Sequence, residues 1–128
     1  MLFMVEEYKI AEKPNILVVS NKELNYNVGG LYIATINTTV YPNDVTKGTQ
    51  RHEMVHCKQA DEYKKENGEI TKENYSHYLA NTCLKAKERL EKRGLTVDKI
   101  KEYGEYFERM YAANRFDEIE AQLEALEE

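Results

Sequence analysis

Residues 51–59 read Arg51-His52-Glu53-Met54-Val55-His56-Cys57-Lys58-Gln59, and the two histidines that bracket Glu53 decide how the rest of the chain is read. On an α-helix, positions i and i+4 share one face, one turn apart. Two imidazoles so placed can hold one Zn²⁺, each at roughly 2.0–2.1 Å. Glu53 directly follows the first of them, so its carboxylate can reach a water at the metal without binding the metal itself. Metal-assisted hydrolysis needs this spacing: the ion acidifies the water and polarises a carbonyl, and the glutamate takes the proton. His52 and His56 are therefore candidate ligands and Glu53 the candidate general base. Cys57 points about 100° away around the helix and reads as core rather than as a nucleophile.

Working outward, the helix that carries the motif should begin between Thr46 and Thr49, either of which can cap free N–H groups. It should run to about Glu66 and stop at Asn67-Gly68. Asp61 and Lys65 make an i,i+4 pair on it. Upstream, residues 31–36 and 39–41 read as two short strands joined near Asn37-Thr38, with Pro42-Asn43-Asp44 closing the hairpin. Gly29-Gly30 is a turn signal rather than a phosphate loop. Residues 21–28 read as loop, the run NILVVS at 15–20 as a strand, and residues 2–10 as a short helix ended before Pro14. Downstream, a helix capped by Thr71 carries Tyr75, Tyr78, Leu79, Thr82, Cys83, Ala86 and Leu90 as one apolar stripe and ends at Gly94. Thr96 caps a third helix bearing Ile100, Tyr103, Phe107 and Met110, with Gly104 inside it at a cost of about 1 kcal/mol against Ala. A last helix from about Phe116 should turn Ile119, Leu123 and Leu126 inward. The pattern is α+β: a small antiparallel sheet or hairpin followed by a mostly helical C-terminal half.

The chain has 128 residues, which suits one domain over 1–128. Its net charge is −5, which argues against nonspecific nucleic-acid binding, although 18 Lys and Arg are present. No apolar run approaches the roughly 20 residues of a membrane helix. The start, MLFMVEEYKI, is too short and too acidic for a signal peptide. A cytoplasmic location is the expectation, with no membrane partner. The Asn-x-Ser/Thr triplets at Asn37 and Asn74 then carry no glycan. In a reducing compartment Cys57 and Cys83 are expected as free thiols. Of the ten tyrosines, Tyr75, Tyr78, Tyr103 and Tyr111 fall on expected core faces.

A catalytic site needs a third protein ligand. His77 sits beside the apolar stripe of the second helix and reads as a surface or boundary residue. Phe116-Asp117-Glu118-Ile119-Glu120-Ala121 is the better source, because its apolar positions pin the helix and leave an adjacent glutamate to face the metal. With these residues in view, the chain resembles the zincin superfamily in its gluzincin branch, over residues 30–122. There a glutamate on a later helix, in an E-x-x-A or E-x-x-x-D setting, completes the site. The resemblance implies Glu118 as third ligand, with Glu120 second. Gln122 stands where many members have Asp, which leaves the support of a ligand histidine to Gln59 or Asp117. Tyr111 and Arg115 are candidates to stabilise an oxyanion. In gluzincins the strand before the motif is an edge strand that pairs with extended substrate, a role implied here for residues 31–36 or 39–41. More narrowly, HEMVHCKQADEYKKENGEIT, KAKERLEKRGLTVDKIKEYG and FDEIEA resemble metallopeptidase-like domains attached to bacteriophage head and minor capsid proteins. That implies phage structural proteins as partners and association with a virion.

Two functions follow as expectations. One is a Zn²⁺-dependent hydrolase of peptide or amide bonds, acting on an extended peptide or protein. The other is a zincin-fold structural or assembly module with a non-catalytic metal site. The intact Glu53 favours the first, since a structural site needs no base. The short chain favours the second, since little is left to build a deep specificity cleft. A metal-free helical adaptor is the third reading.

Overall fold

Helix α1 (Lys47–Asn67) begins where the sequence offers a cap: the Thr46 side chain accepts a hydrogen bond from Thr49 N at 3.1 Å. It ends at Gly68, whose φ of 83° only glycine takes without strain and whose N–H returns to Lys64 O. Lys64 and Lys65 in its last turn suit the negative end of the helix dipole. The molecule is described here from a computed structural model, which covers residues 8–20 and 29–126. The loop expected at 21–28 lies outside the described residues, as do residues 2–7 of the expected N-terminal helix. The end of that helix, at residues 8–10, is a turn instead.

Among the described residues three strands form one sheet in the order β1-β3-β2: β1 (Asn15–Val19), β2 (Leu31–Ile33) and β3 (Thr38–Pro42). The hairpin is present, with Leu31 opposite Val40 in antiparallel register. β1, however, lies parallel to β3, with Asn15 opposite Thr38, so the sheet is mixed rather than antiparallel. The strand expected over residues 31–36 is also shorter. Residues 34–36 form a 3₁₀ turn, and Asn37 follows in the left-handed region at φ 46°. Asn37 tolerates that conformation because its side chain is held on both sides. Its Oδ1 accepts from Tyr32 OH at 2.7 Å, and its Nδ2 donates to Lys13 O at 3.2 Å. Pro42 is the last residue of β3 and the first of the turn that follows it, since Val45 N returns to Pro42 O.

The second helix, α2 (Tyr75–Lys92), starts four residues later than its expected cap. Thr71 and Asn74 instead bond each other, Thr71 N to Asn74 Oδ1 and Asn74 N to Thr71 Oγ1, and this turn feeds the helix. Tyr78, Thr82, Ala86 and Leu90 form its buried stripe, while Tyr75 is exposed. The third helix is two: α3 (Val97–Glu102) and α4 (Glu105–Ala112), broken at Gly104 with φ 124°. Tyr103 lies at the break and is exposed, against expectation. The last helix, α5 (Phe116–Leu126), buries Ile119 and Leu123 but leaves Leu126 exposed.

Leu90, Ile100, Phe107, Phe116, Ile119 and Leu123 pack α2 to α5 into the main core. Met54 and Cys57 bury one side of α1 against Ile10 and Tyr32, and Ala60 and Tyr63 bury another against Ala34, Ile70 and Tyr78. α1 packs most extensively on α5. Both cysteines are free thiols. Among the described residues no helix is long and apolar enough to cross a membrane.

Candidate functional site

Position along α1 places His52 and His56 one turn apart, and the packing of α5 on α1 brings Glu118 to them. His52 Nε2 is 3.2 Å from His56 Nε2. Glu118 Oε2 is 3.1 Å from His52 Nε2, and Glu118 Oε1 is 2.9 Å from His56 Nε2. The buried Glu53 joins this group, its carboxylate within 4.8 Å of ring nitrogens of both histidines.

The other ring nitrogens are held by glutamines. His52 Nδ1 lies 2.9 Å from Gln122 Oε1, and His56 Nδ1 lies 2.9 Å from Gln59 Oε1. An amide oxygen only accepts, so each Nδ1 carries a proton, and with Nε2 unprotonated each ring turns a lone pair toward the other and toward Glu118. The orientation of Gln59 is fixed independently, because its Nε2 donates to Asp117 O and to Glu120 Oε1. Three acceptors thus converge with no donor among themselves, an arrangement that calls for a cation. A proton serves that purpose on His56. Burial acts to lower its pKa, but the hydrogen bond and charge of Glu118 and the charge of Glu53 outweigh burial and lift it to about 9. For Glu118, burial acts upward, yet the hydrogen bonds and charges of the two histidines hold its carboxyl well below the usual range. Burial raises the Glu53 carboxyl, opposed by both histidines and aided by Glu118.

The donor set suits a divalent ion of the zinc type. A tetrahedral ion with bonds of roughly 2.0–2.1 Å sets its donors about 3.3 Å apart, close to the 2.9–3.2 Å separations here. Two imidazole nitrogens and one carboxylate, each ring supported behind, match that ion's preferences. Among the described residues one side is open: a cleft of about 650 Å³ is bordered by Gly29, Gly30, Thr49, His52, Glu53 and Tyr106. Gly30 is needed there, since a Cβ would lie 2.8 Å from Thr49 Cγ2 and 3.4 Å from Glu53 Cγ.

The remaining candidates divide. Glu120 turns away from the histidines and is clamped by Arg89. His77 packs on Tyr63, with its Nδ1 2.6 Å from the phenol oxygen, so it takes no part in this group. Tyr111 stacks edge-on against Phe116 in the core. Arg115 reaches within 3.6 Å of Glu118 Oε1 but is held mainly by Asp117, through two bonds at 2.9 and 3.0 Å. Asp117 therefore supports neither histidine, and Gln122 does so itself. Tyr106 was not legible from the sequence. Its hydroxyl donates to Glu118 Oε2 at 3.0 Å. Burial, then Glu118, holds its phenol far above the usual value, so it remains a donor. Only the break at Gly104 could have signalled it. Of the two segments expected to meet extended substrate, residues 39–41 lie in the central strand and have no free edge; β2 is an edge strand.

Comparison with family models, with curated proteins and with solved structures returns no match for this chain.

Proposed function

We propose that this chain is a zinc-dependent hydrolase of peptide or amide bonds, built on a zincin-like α+β frame of the gluzincin type. One observation carries the reading: His52 Nε2, His56 Nε2 and the Glu118 carboxylate converge within 3.2 Å while glutamine oxygens hold both Nδ1 protons behind. His52, His56 and Glu118 would hold the ion. When bound, it supplies Lewis-acid polarisation of the scissile carbonyl and acidification of the attacking water. Glu53 takes a proton from that water onto its carboxylate and passes it to the leaving nitrogen. Its raised pKa suits a group that must both accept and release a proton. The Tyr106 hydroxyl, which donates to Glu118 Oε2 at 3.0 Å, orients that carboxylate at the edge of the cleft. The cleft passes Gly29-Gly30 at the head of edge strand β2, which favours an extended peptide as substrate.

The test is zinc content and peptide hydrolysis for the parent chain and Glu53→Gln. Zinc bound by both, with hydrolysis abolished only in Glu53→Gln, is the expected result. Zinc bound by both and hydrolysis by neither would move the reading to a structural or assembly module, such as a phage head component. No zinc bound by the parent chain would end the metal reading.

A further inference from the structure

Gln59 is almost completely buried, and both its N–H donors and its amide oxygen are engaged. Its oxygen faces His56 Nδ1, while its nitrogen faces Asp117 O at 3.2 Å and Glu120 Oε1 at 2.9 Å. Turning the amide over would set its oxygen against two acceptors. It would also offer an N–H to His56 Nδ1, and the ring would have to move its proton to Nε2, the atom that faces Glu118. Which way Gln59 sits therefore decides whether His56 presents a lone pair or a hydrogen at the metal centre.

Of the two acceptors behind Gln59, the Asp117 carbonyl belongs to the backbone of α5. Glu120 is a side chain and must itself be held. Arg89 of α2 does this with two parallel bonds, Nε to Oε2 at 2.6 Å and a terminal nitrogen to Oε1 at 2.8 Å. Its remaining terminal nitrogen donates to Glu62 Oε2 at 3.0 Å, so the guanidinium is fixed from two sides. A guanidinium fork on a carboxylate is the side-chain pair with the least freedom to swing. The chain of contacts runs from the surface of α1 and α2 to the ring of His56 without a gap.

We infer that Glu120, clamped by Arg89, is a positioning residue for His56, acting through Gln59 to hold that ring with its Nε2 lone pair toward the metal centre. This rests on the metal reading above. It gives Glu120, two residues beyond Glu118 and about 200° around the helix from it, a part in the site that is not ligation.

The experiment measures zinc affinity by competition with a chromophoric chelator for the parent chain, Gln59→Leu, Glu120→Gln and Arg89→Ala. Proton NMR of each zinc-loaded protein follows the Nδ1 protons of His52 and His56. Gln59→Leu and Glu120→Gln should weaken zinc binding about 10–100-fold, and Arg89→Ala should weaken it in the same direction by less. The His56 Nδ1 proton should be lost to exchange with water in Gln59→Leu and Glu120→Gln while that of His52, held by Gln122, persists. Unchanged affinity in Glu120→Gln with the His56 signal retained would overturn the relay and leave the zinc site standing. Loss of both imidazole signals together with a lowered melting temperature would assign Glu120 a general structural role and overturn it equally. Failure of the parent chain to bind zinc would overturn the relay together with the reading on which it rests.

Discussion

Asp61 ties the start of the described chain to the middle of α1. Its two oxygens accept from Ala11 N at 3.1 Å and Glu12 N at 3.2 Å, and Lys65 lies 3.6 Å away. Burial acts to raise its pKa, but the two backbone bonds and Lys65 outweigh burial and lower it below 3.8. A carboxyl with a lowered folded-state pKa stabilises above its unfolded value, and that stability is lost as pH falls through the folded value. Asp61→Asn keeps one acceptor of two and should cost about 1–3 kcal/mol near neutrality. Urea unfolding of both chains should show that gap closing as pH falls below about 4. A gap independent of pH would mean the charge of Asp61 contributes nothing. Gly30→Ala makes a second prediction at this scale. Its Cβ would press on Thr49 and Glu53, so turnover should fall while zinc is retained, read by metal content beside a peptide assay. The sequence made His52, Glu53 and His56 legible because their spacing is local to one helix. Glu118 needed a resemblance as well, since nothing local says which carboxylate of the last helix faces α1. Tyr106 and Gln59 were hidden or ambiguous because their roles depend on how helices meet.

Gly104 separates two readings of one helical element by the sign of a single substitution. Were residues 97–112 a continuous helix, Gly104→Ala would stabilise by about 1 kcal/mol. At the observed φ of 124°, alanine is strained even though no atom lies within 4 Å of its Cβ, so Gly104→Ala should destabilise by about 1–3 kcal/mol. Thermal unfolding decides between them. The break also places Tyr106 at the start of α4, so the same variant should weaken the Tyr106–Glu118 bond. The sequence showed helical period across residues 97–112 but not the break, because Ile100 and Phe107 share a stripe whether or not the helix pauses between them. The exposure of Tyr75, Tyr103 and Leu126 has the same origin. Each satisfies the period, yet each sits at or near an element end, where the partner surface has already run out.

Across the whole molecule, stability and the site are joined through α5. Ile119 is fully buried beside Glu118, and Ile119→Ala should cost about 2–5 kcal/mol. If the centre binds zinc only when folded, free zinc at a hundred times its dissociation constant should stabilise the chain by about 2.7 kcal/mol, and a chelator should reverse this. Calorimetry with and without chelator checks both, and the zinc increment should vanish in Glu118→Ala. The parallel pairing of β1 with β3 was the least legible feature of the fold. A hairpin is signalled by its turn, whereas β1 finds its partner across residues 20–37, and nothing in a six-residue apolar run states the direction of its neighbour. Glu118 lies 66 residues beyond His52. On a ribosome the motif therefore emerges long before the carboxylate that completes it, and a chain cut short before α5 displays both histidines but cannot close the centre. Bringing these three side chains together is thus among the last contacts that synthesis of the chain permits, and it waits on the docking of α5 against α1.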